Sequence, residues 1–159
     1  ASGVTINPFL GENTLELSFE NCAKYAGEKG RVYVLCATSE SPQSSLSYLQ
    51  ENWKNKIVAC STIRNKIFAN TTNYKKIAGV VIGVNRTNVL LSQTLNESQL
   101  SVLCPCLGAQ GGYLSIIQQC KTQNNEFLFP ISRGIFNAGN GDLPTMKENF
   151  AQFEKHFKT

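Results

Sequence analysis

The side chains able to do chemistry in this chain make a short list. Six are cysteines: Cys22, Cys36, Cys60, Cys104, Cys106 and Cys120. An even number without zinc-like ligand spacing predicts a disulfide framework rather than a metal centre. Spacing alone leaves every pairing open. The preferred scheme joins Cys22 to Cys36, Cys104 to Cys120 and Cys60 to Cys106; exchanging Cys104 and Cys106 gives a second scheme. Closing a loop of about 15 residues is worth roughly 3 kcal/mol in the chain-entropy picture. Cys104-Pro105-Cys106 has no matching Cys or His pair, so no metal is expected. The one histidine, His156, ends an amphipathic segment, and the one aspartate, Asp142, is placed to cap it. A Ser-His-Asp arrangement would need both to leave those roles. Gly108 to Gly112 lacks the Lys-Ser/Thr that completes a phosphate cradle and reads as a loop. No catalytic residue and no cofactor is expected.

Composition narrows the class. Charged residues are 16% of the chain and apolar residues 42%, enough for one packed core and too few charges for a disordered polyelectrolyte. The net charge of +4 is scattered, with no basic stripe to track a phosphate backbone, so no nucleic-acid partner is expected. Three acceptor triplets, at Asn70, Asn85 and Asn96, read as glycosylation sites. With paired cysteines they predict an extracellular or lumenal chain.

The elements that must position these groups centre on Lys75 to Val84. This continuous apolar run, rich in Val and Ile, predicts a strand buried on both faces. Residues 1–14 read as a lead-in and 15–159 as a single α/β lobe, a mixed sheet with flanking helices. Leu15 to Phe19 alternates and predicts a half-buried strand; Arg31 to Cys36 predicts a second and Lys56 to Cys60 a third. Ser44 or Ser45 would cap a helix carrying Leu46, Tyr48, Leu49 and Trp53. A helical connection after Lys56–Cys60 implies a parallel crossover into the central strand. Asn88 to Leu91 reads as a short strand or loop, and Gln93 to Gln99 as a turn. Phe127 to Ile131, with Pro130 inside, is expected at a sheet edge. A turn over 137–141 precedes a final helix that places Met146, Phe150, Phe153 and Phe157 on one face, which needs a covering surface.

Lys56-Ile57-Val58, a helical stretch, and Lys76-Ile-Ala-Gly-Val-Val-Ile82 together resemble the core of protease-associated domains. Cys104-Pro105, Gly112-Tyr113, Cys120 and Phe127-Leu-Phe-Pro-Ile131 follow in the order of the amino-terminal small lobe of the nicastrin family, and Cys22–Cys36 fits that family's first bridge. The resemblance covers roughly residues 15–157. Cys60 and Cys106 are additional to the family pattern, and the loop between Cys120 and Phe127 is shorter. The resemblance implies a non-catalytic ectodomain lobe that recruits or gates substrates for the γ-secretase intramembrane protease. Its partners would be a large aminopeptidase-like lobe of the same protein, presenilin and the other γ-secretase membrane subunits, and type I membrane protein substrates. Phe127, Phe129, Ile131, Phe150, Phe153 and Phe157 would form the lobe interface. The alternatives are a protease-associated domain of another secreted or membrane protein, or a self-contained secreted binding protein.

Overall fold

The computed structural model describes residues 2–39, 51–107, 114–136 and 141–158. The expected helix over Leu46, Tyr48 and Leu49, the Gly108–Gly112 loop with Tyr113, and residues 137–140 of the expected turn lie outside them. Five strands, β1 (Gly3–Ile6), β2 (Arg31–Ala37), β3 (Ala78–Ile82), β4 (Ser101–Leu103) and β5 (Phe127–Leu128), form one sheet in the order β1-β2-β3-β4-β5. Among the described residues every pairing is parallel, in place of the expected mixed sheet.

The central apolar run is β3, in the middle of the sheet and buried at every position. Residues 1–14 supply β1, hydrogen-bonded along β2. Parallel neighbours need crossovers, and helices supply most of them. They are α1 (Glu12–Ala26), α2 (Trp53–Phe68), α3 (Thr87–Leu90), α4 (Gln93–Ser98) and α5 (Ser115–Cys120); α6 (Arg133–Phe136) and α7 (Leu143–Lys158) follow β5.

Two expected strands are helical. Leu15 and Phe19 are buried, whereas Leu17 between them is 57% exposed. Burial therefore recurs at i and i+4, the helical period, and the apparent alternation was a helix read over too short a window. In the same way Ile57, Cys60 and Ile63 of α2 are buried while Val58 is 52% exposed. Asn88–Leu91 falls largely in α3, and Gln93–Ser98 forms α4, capped by the Ser92 hydroxyl, which accepts from the Leu95 N–H at 3.2 Å. Leu95 beneath that cap is fully buried. The final helix forms as expected, with Asp142 Oδ1 accepting from the Thr145 N–H at 3.1 Å.

The strand order never reverses. Right-handed crossovers that always step to the next strand in the same direction put successive helices on one face. The helices do pack side by side, α1 on α2, α2 on α4 and α5 on α7. Val32, Val34 and Cys36 of β2 are buried on the helix side, in register with Ala78, Val80 and Ile82 of β3 apart from a bulge at Leu35–Ala37. Burying each large side chain there contributes roughly 1.5–3 kcal/mol. Alternation puts Tyr33, Leu35, Gly79, Val81, Ser101, Leu103 and Leu128 on the opposite face. Tyr33 lies across Gly79 so closely that a Cβ at Gly79 would sit 2.6 Å from the ring. At the amino-terminal ends of the strands, Glu126 pairs with Arg31 at 3.4 Å and Lys76 at 3.3 Å.

No disulfide staples this fold; all six cysteines are free thiols. Cys22, on α1, packs against Gly30 just before β2, whereas Cys36 lies near the far end of that strand. Cys36 lies six residue steps along from Gly30, on the order of 20 Å, which no bridge spans. Cys60 is buried on the helix side near Cys36, and Cys106 sits beyond the end of β4 with its Sγ 3.1 Å from Ser39 Oγ. The apolar surroundings that keep the thiols buried also suppress ionisation: Cys36 and Cys60 are pushed up to about 12 and Cys120 to about 11 by burial, and Cys104 is raised further.

Candidate active site

In a parallel α/β sheet the carboxyl ends of the strands open towards loops free to vary, and ligands bind there. In this chain those exits hold Asn7 after β1, Ser39 after β2, Asn85 and Arg86 after β3, Cys106 after β4, and Ser132 and Arg133 after β5. They are tied to one another. The Gly83 N–H donates to Ala37 O at 2.7 Å, and Asn85 Nδ2 donates to Ser39 O at 3.2 Å. The Val84 N–H donates to Pro105 O at 3.1 Å. Gly83 and Ser39 nearly touch: a Cβ on Gly83 would lie 2.8 Å from Ser39 N and 3.0 Å from its Cα. Cys106 has φ of 80°, a conformation that costs a side-chain-bearing residue energy and that clusters at functional sites.

Between the exits of β4 and β5 lies a cleft of about 200 Å³ lined by Pro105, Cys106, Leu107, Pro130, Ser132, Arg133 and Gly134. Ser132 starts α6, its carbonyl accepting from the N–H groups of Ile135 at 2.9 Å and Phe136 at 2.8 Å. That turn fixes where Arg133 leaves the backbone. Pro130 ends the strand by removing a ladder donor. Arg86 is a second cation at these exits, and its Nε is buried without a hydrogen-bond partner among the described residues. The exits thus offer two guanidinium groups, hydroxyls and amides, a set suited to an anionic, hydrogen-bonding ligand.

The chain is similar to orotidine 5'-phosphate decarboxylases. It is 31% identical over 142 residues to that of Dehalococcoides mccartyi strain CBDB1, covering 87% of this chain and 50% of the relative. To that of Corynebacterium glutamicum strain R it is 30% identical over 163 residues, covering 99% of this chain and 55% of the relative. Among solved structures, the orotidine 5'-monophosphate decarboxylase of Methanocaldococcus jannaschii, complexed with the inhibitor BMP, superposes with a TM-score of 0.71 at 18% identity, over 100% of this chain and 63% of that one. The Plasmodium berghei enzyme gives 0.70 at 16% identity, over 99% and 49%. No family model matches the chain. The chain spans about half the length of the relatives it matches, 50–55% for these two. The fold is that of part of a (β/α) barrel, which accounts for the unreversed strand order.

These likenesses overturn the nicastrin resemblance and what hung on it. The relatives are enzymes, so the inert gating lobe falls, and with it the aminopeptidase-like lobe, presenilin and membrane-protein substrates as partners. The protease-associated core is replaced by consecutive β/α units. The extracellular or lumenal placement is overturned with the resemblance: the cysteines are unpaired, and the three acceptor triplets alone do not carry it. Among the described residues no helix is long and apolar enough to cross a membrane.

Of the expected interface residues, Phe127, Phe129, Ile131 and Phe153 pack against the chain's own core. Phe129 stacks on Phe127 with centroids 6.0 Å apart and meets Phe157 of α7 at 5.8 Å. Phe150 stays 54% exposed and Phe157 40%. The expected glycan acceptors scatter: Asn70 follows α2, Asn85 stands at the strand exits, and Asn96 Oδ1 accepts from the Asn124 N–H at 2.7 Å. His156 ends α7, where its carbonyl accepts from Gln118 Nε2 at 3.3 Å. Sequence reasoning passed over Arg86, Ser132 and Arg133. The signal that could have found them is positional, since each follows a strand at its carboxyl end.

Proposed function

We propose that this chain forms part of an orotidine 5'-phosphate decarboxylase and that its strand exits bind the nucleotide, with Arg133 gripping the phosphate. The observation that carries this reading is the cleft between the exits of β4 and β5, lined by Pro105 and Cys106 and carrying Arg133 at the start of a short helix. Barrel enzymes frequently place a phosphate between the loops of two adjacent late strands, beside an extra helix of this kind. A planar guanidinium matches a phosphate bidentately. Arg86, at the exit of β3 two strands away, is the second cation available to an anionic substrate.

The test is titration calorimetry with uridine 5'-monophosphate, the compound left when orotidine 5'-monophosphate loses CO2. Removing a charge-assisted hydrogen bond costs about 1.5–3 kcal/mol, so Arg133→Ala should weaken binding roughly 10- to 150-fold. Arg133→Lys, a point charge without the fork, should fall between. Equal affinity for the parent and Arg133→Ala would refute the assignment.

A further inference from the structure

A second cavity lies at the other end of the sheet. It measures about 700 Å³ and opens between the carboxyl ends of α2 and α4, lined among others by Arg64, Asn65, Phe68, Lys75, Glu97 and Gln99. Arg64 is 6% exposed. Its Nη1 donates to Lys75 O at 3.1 Å and Gln99 O at 3.3 Å; its Nε and Nη2 donate to Asn65 Oδ1 at 3.1 and 2.9 Å. A guanidinium carries five N–H groups. Four are spent on these neutral acceptors and one on Nη2 is left. No carboxylate lies within ion-pair distance of Arg64 among the described residues. Glu97, the acid in the lining, accepts instead from Gln93 Nε2 at 2.6 Å.

A structural clamp explains the two carbonyl contacts but not the charge. Buried charges are ordinarily paired, and an unpaired one costs free energy that a neutral donor would have avoided. Burial accordingly pulls the Arg64 guanidinium below its ordinary value, which an anion alongside would reverse. Lys75 adds a second positive charge to the same wall, and Asn65 and Gln99 add amides. The volume lies within the range of small-molecule sites, and Phe68 offers a flat apolar surface beside the cations.

We infer that this cavity binds a phosphate-bearing small molecule at a second site, held by Arg64 and Lys75. The site is separate from the strand exits: Lys75 precedes β3 and Gln99 precedes β4, so a ligand here sits at the opposite ends of those strands. It does not rest on the function proposed above.

The experiment uses the full chain carrying Arg133→Ala, so that binding at the strand-exit cleft is weakened. Inorganic phosphate and a nucleoside monophosphate are titrated separately by calorimetry; binding of either supports the inference, and the pair tells a free anion from a phosphorylated ligand. Binding should then weaken about 10- to 100-fold in Arg64→Gln, which keeps donors for the carbonyls but loses the charge, and several-fold in Lys75→Ala. Lys75 is exposed, so its variant keeps the test open if Arg64→Gln does not fold. No binding in the Arg133→Ala chain, or binding unchanged by Lys75→Ala and by a folded Arg64→Gln, would overturn it. The Arg133 comparison in the unmodified chain is read separately, so either reading can fail alone.

Discussion

Replacing Gly79 with alanine probes the face of the sheet turned away from the helices. The added Cβ would meet Tyr33 Cδ1 at 2.6 Å, Tyr33 Cε1 at 2.8 Å and the Ser101 backbone oxygen at 2.7 Å. These are roughly 1 Å inside ordinary carbon contact at about 3.5 Å. The Tyr33 ring can tilt. Ser101 O cannot move without β4, which is paired to Gly79 at that point. Overpacking of this kind costs typically 1–3 kcal/mol, and a backbone obstruction argues for the upper end. Against that, alanine narrows the unfolded ensemble by about 0.4–1 kcal/mol and buries a methyl worth about 0.8 kcal/mol. The expected net loss is about 1–2 kcal/mol. Urea denaturation should show a lower midpoint at unchanged slope. In a Tyr33→Leu background the ring term is relieved, so the same substitution should cost less. A Gly79→Ala chain as stable as the parent would refute the packing argument.

Three further outcomes are expected. Gly30→Ala would put a Cβ 2.5 Å from Cys22 Sγ and should destabilise the chain, with Cys22→Ala restoring part of the loss in a double-mutant cycle. Phe129→Ala removes the ring between Phe127 and Phe157 and should cost about 2 kcal/mol, less than the ~3–5 of a fully buried ring, with α7 amides exchanging faster. The raised thiols of Cys36 and Cys60 set an alkaline limit. Their folded values of about 12 stand above the ordinary 9.0, so the unfolded chain releases protons first as pH rises. Stability should hold below about pH 9 and fall between about 9 and 12; alanine at either position should flatten that slope, as followed by denaturation at stepped pH.

The parts legible in the sequence were those whose signal is local and unambiguous. The β3 run needed no partner to be read, because uninterrupted Val and Ile admit few alternatives. Arg31–Cys36 and the Asp142-capped helix were read for the same reason. Helices α1 and α2 were misread because five-residue windows around Leu17 and Val58 fit either period; only the positions buried in three dimensions decide. Six cysteines suggested bridges because an even count carries no distances, and the strand separating Gly30 from Cys36 supplies them. The strand-exit arginines were illegible for a related reason. An arginine after a strand means little until the strands are known to be parallel and to end on the same side.

The near-contact of Gly83 with Ser39 ties the exits of β2 and β3 together. With 2.8 Å between a would-be Cβ and Ser39 N, and Asn85 holding Ser39 O, the segment leaving β2 is latched to the one leaving β3. Displacing one drags the other, and Arg86 follows directly on Asn85. Movement at either strand exit is therefore shared with the other.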